Sequence, residues 1–224
     1  MAVAKRQVGA ETYRFERYVS KKRWASFYRQ IVEVMALEPR SVLEVGVGPG
    51  ILRAVLTNLK VPYESMDIDP DLEPDHIGSV LSAPFEDNSY DVVVCFQVLE
   101  HLPYDSFVDA VVELGRVARK AIVISLPDAS PAWPVAFWIP TRGLHRHLIM
   151  PPHLRPRVHR FDGQHYWEIG KRHFPLRRIE RDIKRAGFKV SKAYRVWDNP
   201  YHRFFAIENK LDDITIQSQD SRKQ

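Results

Sequence analysis

The stretch Val42–Gly50, VLEVGVGPG, places one carboxylate, Glu44, just ahead of three alternating glycines, Gly46, Gly48 and Gly50. Apolar and β-branched residues running into closely spaced glycines mark a buried strand that turns sharply into a helix beside a ligand. A dinucleotide fingerprint reads Gly-x-Gly-x-x-Gly, so that a pyrophosphate can rest on the helix N-terminus. Here the third glycine falls one position early, at Gly50. Glu44 would repel a pyrophosphate, yet it can orient an ammonium group directly or through water. The turn therefore favours a cofactor carrying an amino acid over a dinucleotide. Two further clusters hold groups able to move protons. Glu100 and His101 close CFQVLEHL, and His159–Gly170, HRFDGQHYWEIG, gathers His165, Tyr166, Trp167 and Glu168. His101 reads either as a substrate contact or general base, or as a ring that pins its own loop. His165, oriented by Glu168, is a second candidate base, and the rings around it could stack a planar acceptor or form the small core of a lid. His145, His147, His153 and His159 lack zinc-ligand spacing, and Cys95 is the single cysteine, so no metal site is expected.

Positioning these groups requires a framework, and hydrophobic periodicity supplies it. Trp24, Phe27, Tyr28, Ile31, Val32 and Met35 follow helical spacing over 20–37, a docking helix stopped by Pro39. SVLEVGV reads as a buried parallel strand, Ile51–Leu59 as a helix and YESMDID as a second strand, which together make a βαβ unit. A short irregular link leads to a third strand at His76–Val80, and DVVVCFQV is a fourth strand. Asp105 or Ser106 is placed to cap a helix with an inner stripe of Phe107, Val111, Leu114 and Ala118, and AIVISLP is a fifth strand. Residues 128–170 then lose all period among prolines, histidines and tryptophans, the mark of an irregular functional insertion. Leu176, Ile179, Ile183 and Ala186 resume a helix closed by Gly187, and FKVSKAYRVW and RFFAIENK are two strands joined across DNPYH. Residues 1–210 form one domain in this reading, and 211–224 are a loose polar tail.

The chain has 224 residues, 45% hydrophobic and 27% charged, enough for one sizeable core. Its start has no apolar leader, and the longest apolar run, AWPVAFWIP, is far short of the ~20 residues of a membrane span. A cytoplasmic protein is the simplest expectation. The net charge of +5 is unevenly placed. Residues 1–40 hold 9 basic and 4 acidic side chains, 41–140 hold 5 and 15, and 141–224 hold 19 and 9. Basic ends folded over one cleft would favour an anionic substrate.

The chain resembles the class I S-adenosylmethionine-dependent methyltransferases, on VLEVGVGPG, SMDIDP and APFEDNSYDVVVCFQVLEHL in the family's order and spacing. The resemblance is close over about Ser41–Pro127. It implies an α/β, Rossmann-like doubly wound sheet of seven strands in the order 3-2-1-4-5-7-6, the last antiparallel. S-adenosylmethionine is the implied cofactor. Asp67 would accept the ribose hydroxyls, and a carboxylate at a strand's C-terminal edge suits a diol. Ile68 would pack on adenine, and Phe96, Gln97 and Val98 would line the sulfonium side. Many members end the third strand Gly-Asp, whereas here Gly78 is followed by Ser79, so Ser79 or the backbone beside Val80 would replace the missing carboxylate.

The expected activity is methyl transfer to oxygen or nitrogen of an anionic small molecule, a saccharide or a lipid-linked acceptor, with 128–170 as the acceptor lid. An RNA methyltransferase is an alternative, although the chain lacks an Asn-Pro-Pro-Tyr motif after its fourth strand, and Asn199-Pro200-Tyr201 reads as a turn. A non-catalytic cofactor-binding protein that holds a partner through the basic insertion is another. A nicotinamide oxidoreductase ranks last.

Overall fold

A computed structural model describes residues 9–152 and 154–209, so His153 and the tail at 211–224 lie outside the described residues. The strands are β1 (Val42–Val45), β2 (Tyr63–Asp67), β3 (His76–Ile77), β4 (Tyr90–Phe96), β5 (Ala118–Pro127), β6 (Trp133–Ile139), β7 (Gly143–Ile149), β8 (Lys189–Arg195) and β9 (His202–Glu208). The α-helices are α1 (Phe15–Tyr18), α2 (Lys21–Met35), α3 (Ile51–Asn58), α4 (Phe107–Val117) and α5 (Leu176–Arg185). Seven strands form one sheet in the order β3-β2-β1-β4-β5-β9-β8, in which β9 runs antiparallel to both neighbours. This is the expected doubly wound order, with β8 and β9 as its sixth and seventh strands.

Period-two alternation divides the sheet between two cores. Val93, Cys95, Ile122 and Ile124 face α4 and α5, where Phe107, Leu114, Ile179 and Ile183 are buried. Val92, Val94, Val123 and Phe204 pack with Val34 of α2 and with Leu52 and Leu56 of α3. At roughly 25 cal/mol per Å² of apolar surface removed from water, these layers are the main stabilising contribution.

Four sequence expectations change. The inner stripe of α2 holds in part, with Phe27 buried and Ile31 and Met35 packed on the core, but Trp24 and Tyr28 are exposed while Ser26, Gln30, Glu33 and Val34 are buried. That face can be polar because Glu33 accepts hydrogen bonds from Lys192 and Tyr194 at 2.6 and 2.7 Å. Strand β3 ends at Ile77 rather than Val80, because Ser79 starts a tight turn: its carbonyl accepts from Ser82 N at 3.0 Å and its hydroxyl from Leu81 N at 3.2 Å. Ala118 opens β5 instead of completing the α4 stripe, and Ser106, at the N-cap of α4, makes no side-chain capping bond. The insertion is not wholly irregular, since β6 and β7 pair as a separate antiparallel ribbon from Trp133↔Ile149 to Ile139↔Gly143.

A buried ionic clasp roots the ribbon. Asp128 at the end of β5 accepts from Arg203 Nε at 2.7 Å and lies 3.7 Å from Arg195 Nε. The Arg195 guanidinium also donates to the carbonyls of Asp128 and Ser130 at 3.2 and 2.9 Å. Downstream the chain returns to the core, where Ile169 N donates to Pro127 O at 3.0 Å and Trp167 is fully buried. Among the described residues, no helix is long and apolar enough to cross a membrane.

Candidate cofactor cleft and acceptor pocket

Strand order reverses between β1 and β4, and a crevice opens there at the carboxyl ends of the strands, the usual ligand site of such sheets. The cleft encloses about 1190 Å³ with its mouth included. Gly46, Gly48 and Gly50 all have positive φ, at 90°, 52° and 69°. The turn is tight at Gly46, where a Cβ would stand 2.3 Å from Val98 Cγ2. Gly50 ends the turn at the N-cap of α3 and faces a shallower neighbouring hollow instead of the main cleft.

Glu44 lines the cleft and is buried, with Tyr63 OH donating to its carboxylate. Burial raises its pKa to about 8, against the Tyr63 hydrogen bond and the Arg53 charge. Among the described residues no cation is in hydrogen-bond contact with it, and a buried carboxylate in that state can pair with an ammonium group. Asp67 ends β2, and its two oxygens accept from Val47 N at 3.0 Å and Asp69 N at 2.9 Å. It therefore braces the glycine turn while facing the cleft. Desolvation moves its pKa upward against those backbone bonds. Ile68, Leu72 and Val80 supply apolar walls, and Phe96, Gln97 and Val98 complete the β4 side. Gln97 adopts φ 57°, an uncommon conformation for a residue other than glycine, and its backbone N and Nε2 are held by Ser125 at 3.0 and 3.1 Å. Of the sequence-derived cofactor set, Gly50 and Ser79 are outside the cleft, whereas Gly78 and Val80 line it.

Sequence reasoning missed the cleft's other wall. Tyr13, Tyr18, Arg23, Phe27 and Gln30 from the N-terminal segment, and His202 of β9, all line it. The Tyr13 and Tyr18 rings meet edge to face at 4.9 Å, and the Arg23 guanidinium lies 3.9 Å from the Tyr18 ring centre. The polar residues on the inward phase of α2 were the available signal.

A second pocket adjoins the cleft, sharing Gln97, His101 and His202 with it and adding Glu100, Gln164, His165 and Tyr201. Here the two candidate catalytic histidines meet, their ring centres 5.2 Å apart. His101 Nδ1 donates to Gln164 O at 3.0 Å, and burial lowers its pKa. His165 Nδ1 donates to Glu168 Oε1 at 3.1 Å. Burial opposes the His165 charge, but Glu168 and Glu100 outweigh it and raise the pKa. The Glu168 carboxyl is held at about 2 despite burial, by hydrogen bonds from His165 and Tyr201 and by the charge of Lys171. Glu100 is fully buried, and burial raises its pKa to about 7. Trp167, by contrast, is structural: its Nε1 donates to Leu102 O at 3.1 Å and its ring packs edge-on against Tyr104 and Phe107. His145 and His147 stack on Phe137 in the ribbon, far in role from His159, whose Nε2 donates to His165 O at 2.8 Å.

A family model described as a methyltransferase domain matches residues 15–193, most of the chain. The chain belongs to the methyltransferase domain family. The methyltransferase uses S-adenosylmethionine as its cofactor, which the buried Glu44 and the strand-end Asp67 fit. Its fold is shared with the 1,6-didemethyltoxoflavin-N1-methyltransferase of Burkholderia thailandensis, solved with 1,6-didemethyltoxoflavin and S-adenosylhomocysteine, at 15% identity and a TM-score of 0.55 over 88% of this chain and 83% of that one. It is also similar to magnesium protoporphyrin IX methyltransferase of Synechocystis PCC 6803, solved with S-adenosylmethionine, at 15% identity and TM-score 0.53 over 84% and 79% of the two chains. A Pyrococcus horikoshii OT3 protein superposes with TM-score 0.59 at 14% identity, over 89% and 96%. No curated protein sequence matches the chain.

Proposed function

We propose that the methyltransferase transfers a methyl group to oxygen or nitrogen of an anionic acceptor, a small molecule, saccharide or lipid-linked compound, bound between the second pocket and the β6–β7 ribbon. The observation that carries this reading is the composition and exposure of the insertion. Residues 129–161 contain five arginines and no acidic residue, and Trp133, Phe137, Trp138 and Leu144 are exposed on the ribbon. Aromatic and aliphatic side chains among unpaired-sign charge suit a ligand with a negative group and an apolar body.

When bound, S-adenosylmethionine supplies a methyl group already activated as a sulfonium. The chain's own task is alignment and exclusion of water. Glu44 and Asp67 fix the donor end, and Gln97, held by Ser125, keeps the β4 loop between the cleft and the second pocket. His101 and His165 lie on the acceptor side, where a hydroxyl or protonated nitrogen must give up its proton. The test is incubation of the full chain with radiolabelled cofactor and fractionated cell extract. Label in an anionic small-molecule, glycan or lipid fraction supports the reading, whereas label confined to nucleic acid, or to no fraction, overturns it.

A further inference from the structure

We propose that Glu100, His101 and His165 form a site for one divalent transition-metal cation on the acceptor side of the cleft. One ligand atom from each of the three lies within 4.8 Å of the others, close enough to converge on a single ion. The second observation is the state of Glu100, which is fully buried, lines the pocket, and has no hydrogen-bond partner for either carboxylate oxygen among the described residues. Protonation alone does not explain this, because a neutral carboxyl still presents an O–H donor and an acceptor that need partners. A cation satisfies both oxygens and neutralises the charge.

The histidines are oriented as metal ligands are. Each imidazole donates from Nδ1, His101 to the Gln164 carbonyl and His165 to Glu168, which holds the ring in place. A carboxylate or carbonyl behind each ring is the usual support for a ligating histidine. Tyr201 and Lys171 in turn hold Glu168. Two imidazoles and one carboxylate suit zinc, cobalt, iron or manganese, and such a set leaves coordination positions for an acceptor oxygen. A second grouping, Asp162, His165 and Glu168, is a weaker candidate, because Asp162 already accepts from Gln164 N and His165 N at 2.9 and 2.8 Å.

The assignment of the ion to the acceptor side rests on the methyl-transfer reading, but the ion's binding does not, so the two are tested separately. Metal-stripped full-length protein is titrated with Co²⁺ and followed by its visible ligand-field absorption, then with Zn²⁺ by calorimetry. One equivalent is expected. Glu100→Gln and His165→Gln, each checked by thermal melting, should weaken binding at least about hundredfold, and Glu168→Gln, which spares all three ligands, about 10- to 100-fold. S-adenosylhomocysteine affinity, measured in parallel, should be unchanged in Glu100→Gln. Less than a tenth of an equivalent bound, or wild-type affinity in both ligand variants, overturns the metal site. Metal binding without S-adenosylhomocysteine binding would leave the site standing and remove the methyl-transfer reading.

Discussion

Cofactor binding should expel a proton from Glu44, and the size of the effect follows from its burial. In the ligand-free protein the carboxyl titrates at about 8. At pH 7 it is then roughly nine-tenths protonated, and ionising it to meet an ammonium costs about 1.4 kcal/mol, rising to about 2.7 kcal/mol at pH 6. Affinity for S-adenosylhomocysteine, which carries the same amino-acid end, should therefore fall about tenfold from pH 7 to pH 6. At higher pH, once the ligand's own α-amino group loses its charge, the profile should turn over. Calorimetry at pH 7 in phosphate and in Tris, whose ionisation enthalpies differ, should report close to one proton released. Glu44→Gln has nothing to release, so its enthalpy should be the same in both buffers and its acid limb flat. Equal enthalpies for the wild type, or the same proton count in the variant, would refute the assignment. The sign also fixes stability. Because folding raises this pKa, the group's contribution is fully present below the unfolded value near 4.5 and is lost as pH rises through about 8. The ligand-free melting temperature should decline across that window, and saturating ligand should flatten the decline.

Gly46→Ala puts a Cβ 2.3 Å from Val98 at φ 90°, so it should destabilise the fold by about 2–4 kcal/mol and abolish cofactor binding, read by urea denaturation and calorimetry. Gly48→Val should act differently, because a Cβ there meets only Tyr13 at 3.8 Å: binding is lost, and the stability cost is the backbone strain of a β-branched residue at φ 52°, about 1–3 kcal/mol. Asp67→Ala should weaken S-adenosylhomocysteine binding by about 1–3 kcal/mol, and unchanged affinity would move the ribose elsewhere. Asp128→Ala strands Arg195 and Arg203 in the interior and should cost about 3–5 kcal/mol in urea denaturation, with the donor site still binding ligand in the folded fraction.

The glycine turn and the strand-end carboxylate were legible because their backbone geometry dictates their sequence. A turn with three positive φ values needs glycines, and the strand-end carboxylate must follow a buried strand, so Gly46, Gly48 and Asp67 announce themselves. Helix α2 was located correctly but its inner face was only partly read, since the side that borders the cleft buries Ser26 and Gln30 beside Phe27 and leaves Trp24 outside. Hydrophobicity points to a core, not to a ligand. The β6–β7 ribbon left no alternation, because β6 is exposed on both faces and apolar residues stand on each. Ser79 was chosen for its place in a family pattern, and the turn that withdraws it depends on a bond to Leu81 that no spacing rule encodes. The meeting of Glu100 and His101 with His165 was likewise invisible as a triad, since 64 positions separate the two histidines and only the return of the chain through Trp167 and Ile169 joins them.

The clasp of Asp128 with Arg195 and Arg203 divides the molecule's inheritance as well as its structure. The residues that line the donor cleft lie upstream of it or within the sheet, while the chain leaves for the ribbon and returns at a short seam, Asp128–Ser130 against Ile169–Gly170, and the ribbon touches the body again at Trp197 and Asp198 of the β8–β9 turn. Selection can rewrite the ribbon's surface for a new acceptor without disturbing the cleft, so long as that seam and its three buried charges persist. Constraint should thus be sharp at residues that touch neither substrate, and a change of clientele should be recorded in the ribbon and the second pocket while the clasp stays as it is.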